Sequence, residues 1–281
     1  MPVRFRSVPW NKGGLDARVL LQGKIQKKII TAWFFLLLAG TVCGSGAAWA
    51  GEGEFPFQAG EELAFRVSWG GVSVGRAVLR VLEGGKGAGA WHFRMTVKTN
   101  KFADLFYKVR DRIDGYADPK MGRSLLYTKR QRGRRRRDVM VRFDWSESRT
   151  RYISFGGSKR VVPLRPGAFD PLSVFYAFRL REVKEGARLR AAVSDGKKCV
   201  EGNARVIRRE RVAVPLGTFD TFLVVPDLSD LGGVFEKSRN ARLEIWVTAD
   251  RRKIPVQVRS KVVVGSFVAE LVSARGLIPF R

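Results

Sequence analysis

Histidine and cysteine are scarce in this chain, which has one histidine and two cysteines. A zinc site needs three or four such ligands, so neither a structural nor a catalytic zinc site is expected. The sequence also lacks the phosphate-binding Gly-x-x-x-x-Gly-Lys-Ser/Thr loop and the dinucleotide-binding Gly-x-Gly-x-x-Gly fingerprint. We therefore predict no catalytic residue, no metal and no cofactor, and we expect that the protein is not an enzyme.

The first 50 residues have the order of an export signal. A basic stretch ending at Lys28 precedes an uncharged apolar run at residues 29–38, and small residues follow as far as Ala48 and Ala50. A basic region, an apolar core of about 7–15 residues and small residues before the cut are typical of a signal peptide. We predict that residues 1–50 are a signal peptide cleaved after Ala50, and that the protein is periplasmic.

Two alternatives to cleavage remain open. No charge occurs between Lys28 and Glu52, so the same segment could stay as an N-terminal membrane anchor. Cys43 could be lipid-modified, although the residues before it match a lipoprotein signal poorly. With Cys43 removed, Cys199 is the single cysteine and can form no intrachain disulfide.

Acidic residues are few, with 26 Asp+Glu against 53 Lys+Arg and a formal net charge of +27. Such an excess attracts polyanions but carries no information about fold. Behind an export signal the expected partners are an anionic envelope lipid, lipopolysaccharide or polysaccharide, and no nucleic acid is expected. The competing interpretation is a set of solvated arginines on strand surfaces without a specific partner.

Period-2 alternation dominates residues 51–281, which we treat as a single β-rich domain. Gly70 and Gly71 separate two alternating segments and predict a hairpin turn. The phase of the second segment shifts near Gly75, which predicts a β-bulge. About a dozen short strands at regular spacing indicate an antiparallel sheet.

The clearest helical pattern runs from Asp170 to about residue 180. Asp170 is a good N-cap, and Pro171 would occupy the first helical position, where its missing N–H costs nothing. Leu172, Phe175 and Phe178 give the segment an apolar face at helical spacing.

The most basic segment lies between two strand patterns, and we place it at the end of a hairpin. Arginine matches phosphate with a fork of donors, so this segment is the candidate anion-binding site, although an exposed basic strand edge that prevents aggregation is the alternative. Its basic residues are Lys129, Arg130, Arg132, Arg134, Arg135, Arg136 and Arg137.

Four short motifs in order resemble an exported bacterial family catalogued as domain of unknown function 3108. They are Gly-Glu-x-Leu at residues 60–63, Asp-x-Leu-Ser-x-x-Tyr-x-x-Arg at 170–179, Val-Pro-x-Gly-x-Phe at 214–219 and Trp-x-x-x-Asp-x-x-x-x-Pro at 246–255. Together they cover about residues 55–272. The arginine run at 134–137 is not a mark of the family.

The resemblance implies a periplasmic, mostly β protein without an assigned catalytic residue. It further implies an antiparallel, strongly curved sheet, a half-barrel or open barrel similar to lipoprotein carriers, with one packed α-helix near residues 170–180. The concave face of such a sheet could hold an acyl chain, or its apolar residues could simply pack against the helix. The candidate groove or core residues are Trp91, Phe93, Met95, Phe143, Trp145, Phe175 and Phe178.

Three functions follow in order of preference. The first is a non-enzymatic periplasmic binding or envelope-maintenance protein that holds an anionic amphipathic lipid or glycolipid. The second is a structural or protein-interaction module with a filled core and no ligand. The third is a carboxylate-based cell-wall hydrolase, for which the candidates are Asp104, Asp111, Asp114 and Asp118.

Overall fold

A computed structural model describes residues 55–84, 89–133, 136–157, 159–227, 241–262 and 265–279. The predicted signal peptide lies outside these residues. In the described part of the chain, no helix combines the length and the apolar character that crossing a membrane requires.

Among the described residues, fourteen antiparallel strands form one sheet, and two helices lie between strands of that sheet. The strands are β1 (Glu62–Trp69), β2 (Val72–Leu82), β3 (Trp91–Thr99), β4 (Val109–Ala117), β5 (Ser124–Gly133), β6 (Arg137–Asp144), β7 (Arg149–Ser154), β8 (Lys159–Pro163), β9 (Arg188–Ser194), β10 (Cys199–Val214), β11 (Gly217–Pro226), β12 (Arg242–Thr248), β13 (Pro255–Val262) and β14 (Gly265–Arg275). The helices are α1 (Lys101–Asp104), between β3 and β4, and α2 (Ser173–Arg179), between β8 and β9.

The sheet consists of two meanders joined in the middle. Its order is β8-β7-β6-β5-β4-β3-β2-β1-β14-β13-β12-β11-β10-β9, so β1 pairs with β14 and β8 and β9 are the edges. The register shifts where Val67 and Ser68 of β1 meet Gly75 and Ser73 of β2, which confirms the predicted bulge.

Strong curvature brings the two ends of the sheet together. The turn between β9 and β10 packs against β6 and β7, so closely that a Cβ on Gly196 would lie 2.7 Å from Val141. Phe169, in the segment before α2, forms a parallel bridge to Val193 of β9. The predicted architecture, a mostly β, antiparallel, curved and open sheet with a helix near residues 170–180, is confirmed.

Helix α2 fills the concave side of this sheet. All seven of its residues are buried, which is expected of a helix surrounded by core rather than lying on a surface. Phe93 of β3 stacks on Tyr176 with ring centroids 3.9 Å apart. The helix therefore closes one end of the curved sheet, which we call the plugged end; the other end, with the turns after β3, β5 and β9, we call the open end.

The helix is shorter than its sequence pattern predicted. It begins at Ser173 rather than near Asp170, and Pro171 lies in the turn before it. Asp170 still accepts hydrogen bonds from the backbone N–H groups of Leu172 and Ser173, at 2.8 and 2.9 Å. Its own N–H donates to Ser124 Oγ at 2.8 Å, and this hydrogen bond holds residue 170 against β5. The helix therefore begins three residues later, at Ser173.

A buried ion pair fixes the other end of α2. Arg179 and Glu61 are 0% and 1% exposed, and the guanidinium donates to both carboxylate oxygens of Glu61. It also donates to the backbone carbonyls of Arg252, at 2.7 Å, and Pro56, at 2.9 Å. Residues from three of the four sequence motifs therefore meet at this one point.

Replacing Gly115 by alanine is expected to lower the free energy of unfolding by about 1–3 kcal/mol, the usual cost of overpacking a core. A Cβ at this position of β4 would lie 2.8 Å from both Asp170 Oδ1 and Ser173 Oγ. Gly122→Ala is the control, because its Cβ would meet nothing nearer than 3.5 Å. Urea titrations of the two variants make the comparison, and equal midpoints would contradict the expected clash.

Candidate functional site

The basic segment is divided between the two faces of the sheet. In the register of β4, β5 and β6, Lys129 pairs with the buried residues Ile113 and Val139, so it faces the concave side. Arg130 is next in sequence and faces the convex side, as does Arg132, which forms an ion pair with Asp138. Neighbouring cations of this segment therefore meet different surroundings.

The remaining arginines lie at or beyond the turn between β5 and β6. Arg137 pairs with Gln131 and so shares the concave side with Lys129. Arg136 is exposed. Arg134 and Arg135 lie outside the described residues, so their part of the predicted anion-binding site stays a prediction.

Two cations contact Tyr152 on the concave side at the open end, and their charges also act on Lys129. Arg137 donates to the hydroxyl oxygen of Tyr152 at 2.7 Å. Lys197, on the turn between β9 and β10, has its Nζ 6.0 Å from the centroid of the same ring, within the range of a cation–π contact. With Lys129 these residues form what we call the Tyr152 cluster: Lys129, Arg137, Tyr152 and Lys197.

The electrostatics of the cluster favour an anion. Burial lowers the pKa of Lys129, the carboxylates of Asp111 and Asp195 raise it, and the positive charges of Arg137 and Lys197 lower it. Together these effects bring the pKa to about 7. The ammonium form of Lys129 is therefore about half populated at neutral pH. A bound anion would favour that form and raise the pKa, so binding and protonation of Lys129 would reinforce each other.

Asp111 is the carboxylate nearest to this arrangement by register. It is buried on β4, opposite Gln131, whose Nε2 donates to it at 3.1 Å. The alternation of the basic segment could have separated Lys129 from Arg130 in advance. Nothing in the sequence pointed to Tyr152, Lys197 or Asp111 as its neighbours.

The predicted apolar groove residues lie in or against the core. Five of them are buried in one continuous cluster with α2: Phe93, Met95, Phe143, Phe175 and Phe178. Trp91 and Trp145 are partly buried against it, and their indole N–H groups donate to the backbone carbonyls of Pro119 and Ser124. This cluster occupies the space between sheet and helix in which an acyl chain would lie.

The four aspartates considered for hydrolysis do not share a face. Asp111 faces the concave side, whereas Asp114 lies on the convex side, where His92, Arg94 and Arg112 donate to it at 2.7–2.8 Å. Burial raises the pKa of Asp114, but these hydrogen bonds outweigh burial and hold the pKa well below its usual range.

The two remaining aspartates are held by neighbours close in sequence. Asp104 pairs with Arg110 at 2.5 Å, and Asp118 accepts from the backbone N–H of Gly122 at 2.7 Å. Each of the four candidates is therefore occupied by its own partners.

Other reactive groups are placed for structure rather than for chemistry. Residues 71–75 spell Gly-x-Ser-x-Gly, the pattern of a nucleophile elbow, but they begin β2 instead of forming a strand-to-helix turn. Burial raises the pKa of the Cys199 thiol, whose sulfur accepts from the Arg165 N–H at 3.4 Å. Among the described residues, no three His, Cys, Asp or Glu side chains are grouped so that they could hold a metal ion.

Comparison with protein families gives one match. A family model described as protein of unknown function (DUF3108) matches residues 64–272. No curated protein matches the chain.

Solved structures that match the chain do so at low sequence identity and with TM-scores below 0.5. A β-barrel-like protein of domain of unknown function DUF1849 from Brucella abortus has 9% identity and a TM-score of 0.49, covering 76% of this chain and 96% of its own. A proposed exported protein with a YmcC-like fold from Bacteroides fragilis has 9% identity and a TM-score of 0.36, covering 79% and 98%. A proposed lipoprotein from Parabacteroides distasonis has 10% identity and a TM-score of 0.33, covering 79% and 97%.

Proposed function

The chain belongs to the DUF3108 family of proteins of unknown function, and from that premise we propose that it is an exported, non-enzymatic envelope protein that binds the anionic headgroup of an amphipathic lipid or glycolipid. The Tyr152 cluster carries this proposal. It joins cations from both meanders, and they meet only because the sheet curls upon itself. A phosphate oxygen is a suitable partner, since hydrogen bonds between ionised groups are about twice as strong as neutral ones.

The position of the cluster favours a headgroup over an enclosed acyl chain. Helix α2 and the aromatic core fill the plugged end, and the cations lie towards the open end. A lipid would thus present its charged group to the cluster while its chains stay outside the sheet. The N-terminal pattern of residues 1–50 supports an envelope location, where such headgroups are abundant.

A structural or interaction module is the second candidate. The continuous core between sheet and helix favours it, because the concave face is used for packing. In that case the Tyr152 cluster would contribute to solubility and to joining the two meanders. Ligand binding separates the two functions.

Binding of a single anionic lipid tests the proposal. The protein is purified from the periplasm of producing cells and titrated calorimetrically with dihexanoyl phosphatidylglycerol, kept below its micelle concentration. We expect Lys129→Gln and Arg137→Gln each to weaken binding about tenfold or more, since a hydrogen bond to a charged group contributes about 1.5–3 kcal/mol. Arg130→Gln is the matched control, because Arg130 faces the convex side.

The pH dependence of binding gives a second test. Lowering the pH from 8 to 6 is expected to tighten binding, because Lys129, with a pKa of about 7, gains its proton over this range. The Lys129→Gln variant should lose this dependence. Equal losses of lipid affinity in the Lys129→Gln and Arg130→Gln variants would contradict the proposal. If the unaltered protein does not bind the lipid, the structural module is favoured.

A further inference from the structure

The connection between β3 and β4 exposes three large apolar side chains at the open end. Phe102, Leu105 and Phe106 are 56%, 79% and 58% exposed. The two phenylalanine rings contact each other edge-on, with centroids 5.5 Å apart. We call these three residues, which lie on or just after α1, the aromatic tip. Clustered exposed apolar residues of this size commonly mark a contact surface.

Hydrogen bonds fix the shape of this segment. Asn100 accepts from the N–H of Ala103 at 2.8 Å and donates to the Ser73 carbonyl at 2.7 Å, which ties α1 to the neighbouring hairpin. Arg110 holds Asp104 from the other side with two hydrogen bonds. The aromatic tip is therefore presented by an ordered support, and its exposure does not result from a loosely attached loop.

Positive charge surrounds the aromatic tip. Lys101 and Lys108 are exposed on either side of it. The backbone at Lys108 lies so close to Gly133 that a Cβ on Gly133 would collide with the Lys108 carbonyl oxygen. This contact places the end of the hairpin formed by β5 and β6 directly beside the aromatic tip. Arg132 and Arg136 of that hairpin are also exposed. An apolar centre with a basic margin complements the surface of an anionic bilayer.

We propose that the aromatic tip inserts into the interface of an anionic lipid bilayer, with the lysines on either side of it, and Arg132 and Arg136, lying at the headgroups. This inference rests on the proposed function for the envelope location and for anionic lipid as the partner. It adds the way in which the protein meets the membrane: the open end faces the lipid, and the Tyr152 cluster is brought to headgroup level. The partner is a lipid surface rather than one lipid molecule.

A fluorescent probe at residue 105 tests insertion directly. Cys43 and Cys199 are changed to serine, and the environment-sensitive nitrobenzoxadiazole group is attached to Leu105→Cys in one protein and to Leu216→Cys in another. Leu216 is 41% exposed in the turn after β10, at the plugged end, and serves as the matched control. If residues 29–38 were retained as a membrane anchor, they could bind the protein to vesicles. The probe, however, reports only the environment of the residue that carries it, so such binding would not by itself change the emission at residue 105.

The vesicles contain equal parts of phosphatidylglycerol and phosphatidylcholine. We expect a blue shift and an increase in emission of at least twofold at residue 105, with quenching by nitroxide-labelled lipid, and neither change at residue 216. Unchanged emission at residue 105, or equal changes at both positions, would overturn the inference.

Substitutions separate the contributions of the apolar and the charged side chains to vesicle binding. Phe102→Ser with Phe106→Ser should reduce vesicle binding at least tenfold at low and at high salt, since apolar insertion is not screened. Arg132→Gln with Arg136→Gln should reduce it at low salt alone, because salt screens exposed charges. A loss in the Phe102/Phe106 variant that disappears at high salt would count against insertion.

Failure of insertion and failure of headgroup binding are distinguishable. Lys129→Gln should weaken the binding of monomeric lipid about tenfold or more and leave the shift at residue 105 in place. The Phe102→Ser/Phe106→Ser variant should bind monomeric lipid normally. If the monomeric lipid fails to bind while the probe shifts, the headgroup proposal is wrong and the membrane contact holds.

Discussion

The Arg179→Met variant is expected to lose about 3–5 kcal/mol of unfolding free energy, the usual cost of removing one partner of a buried ion pair. Arg179 is fully buried, and its guanidinium donates to the Glu61 carboxylate and to the carbonyls of Pro56 and Arg252. Removing the guanidinium leaves the carboxylate buried without its counter-charge. Urea unfolding followed by circular dichroism measures the loss.

An exposed ion pair of the same chemistry provides the control. Arg165 lies 3.5 Å from Glu201, with side-chain exposures of 53% and 25%. Arg165→Met should cost less than about 1 kcal/mol, as exposed pairs usually do. Adding Glu61→Gln to Arg179→Met should recover part of the loss, because the unpaired charge is then gone. Similar losses for Arg165→Met and Arg179→Met would show that burial is not the source of the effect.

Tyr176→Ala is expected to cost about 3–5 kcal/mol, the range for truncating a buried aromatic residue. Tyr176 is 0% exposed, and its ring contacts Phe93, Phe57 and Phe175 at centroid distances of 3.9, 5.3 and 5.4 Å. Truncation would leave a cavity between the helix and the sheet, where the surrounding strands cannot collapse freely. The same urea titration measures this loss.

Tyr176→Phe is the matched variant and should behave oppositely. The hydroxyl of Tyr176 is buried and has no hydrogen-bond partner among the described residues. Burial raises the pKa of this hydroxyl, so it remains a neutral donor without an acceptor. Its removal is expected to leave stability unchanged or to raise it by about 1 kcal/mol. A loss above that size would reveal a partner for the hydroxyl.

The local features of the fold were predictable because they depend on residues close in sequence. Period-2 alternation predicted the strands, and the phase shift near Gly75 predicted the bulge. The start of α2 was misplaced because its helical pattern extends back to Asp170, while a hydrogen bond to Ser124 holds that residue against β5. A contact to a distant strand thus outweighed a local preference.

The site was less predictable because it depends on contacts between distant segments. The basic segment was found, but only the register of β5 and β6 separates Lys129 and Arg137 from Arg130. Lys197 reaches Tyr152 because the sheet curls until its two halves meet, and no short-range pattern encodes that closure. The pairing of Glu61 with Arg179 spans an even longer stretch of sequence, 118 residues, although both residues stood in recognised motifs.

The pairing of β1 with β14 has a consequence for how the chain acquires its structure. These are the first and last strands, and paired residues such as Phe65 and Leu271 are roughly 200 residues apart. Such a separation slows folding, because the entropy cost of closing the loop comes before the favourable contacts form. Each meander can form by pairing strands that are neighbours in sequence. The pairing of β1 with β14, which joins the two meanders, can form only after β14 has been synthesised. Until then β1 presents an unpaired edge, the kind of template on which chains aggregate. Translocation of an unfolded chain and protection of that edge by a chaperone would therefore suit this topology.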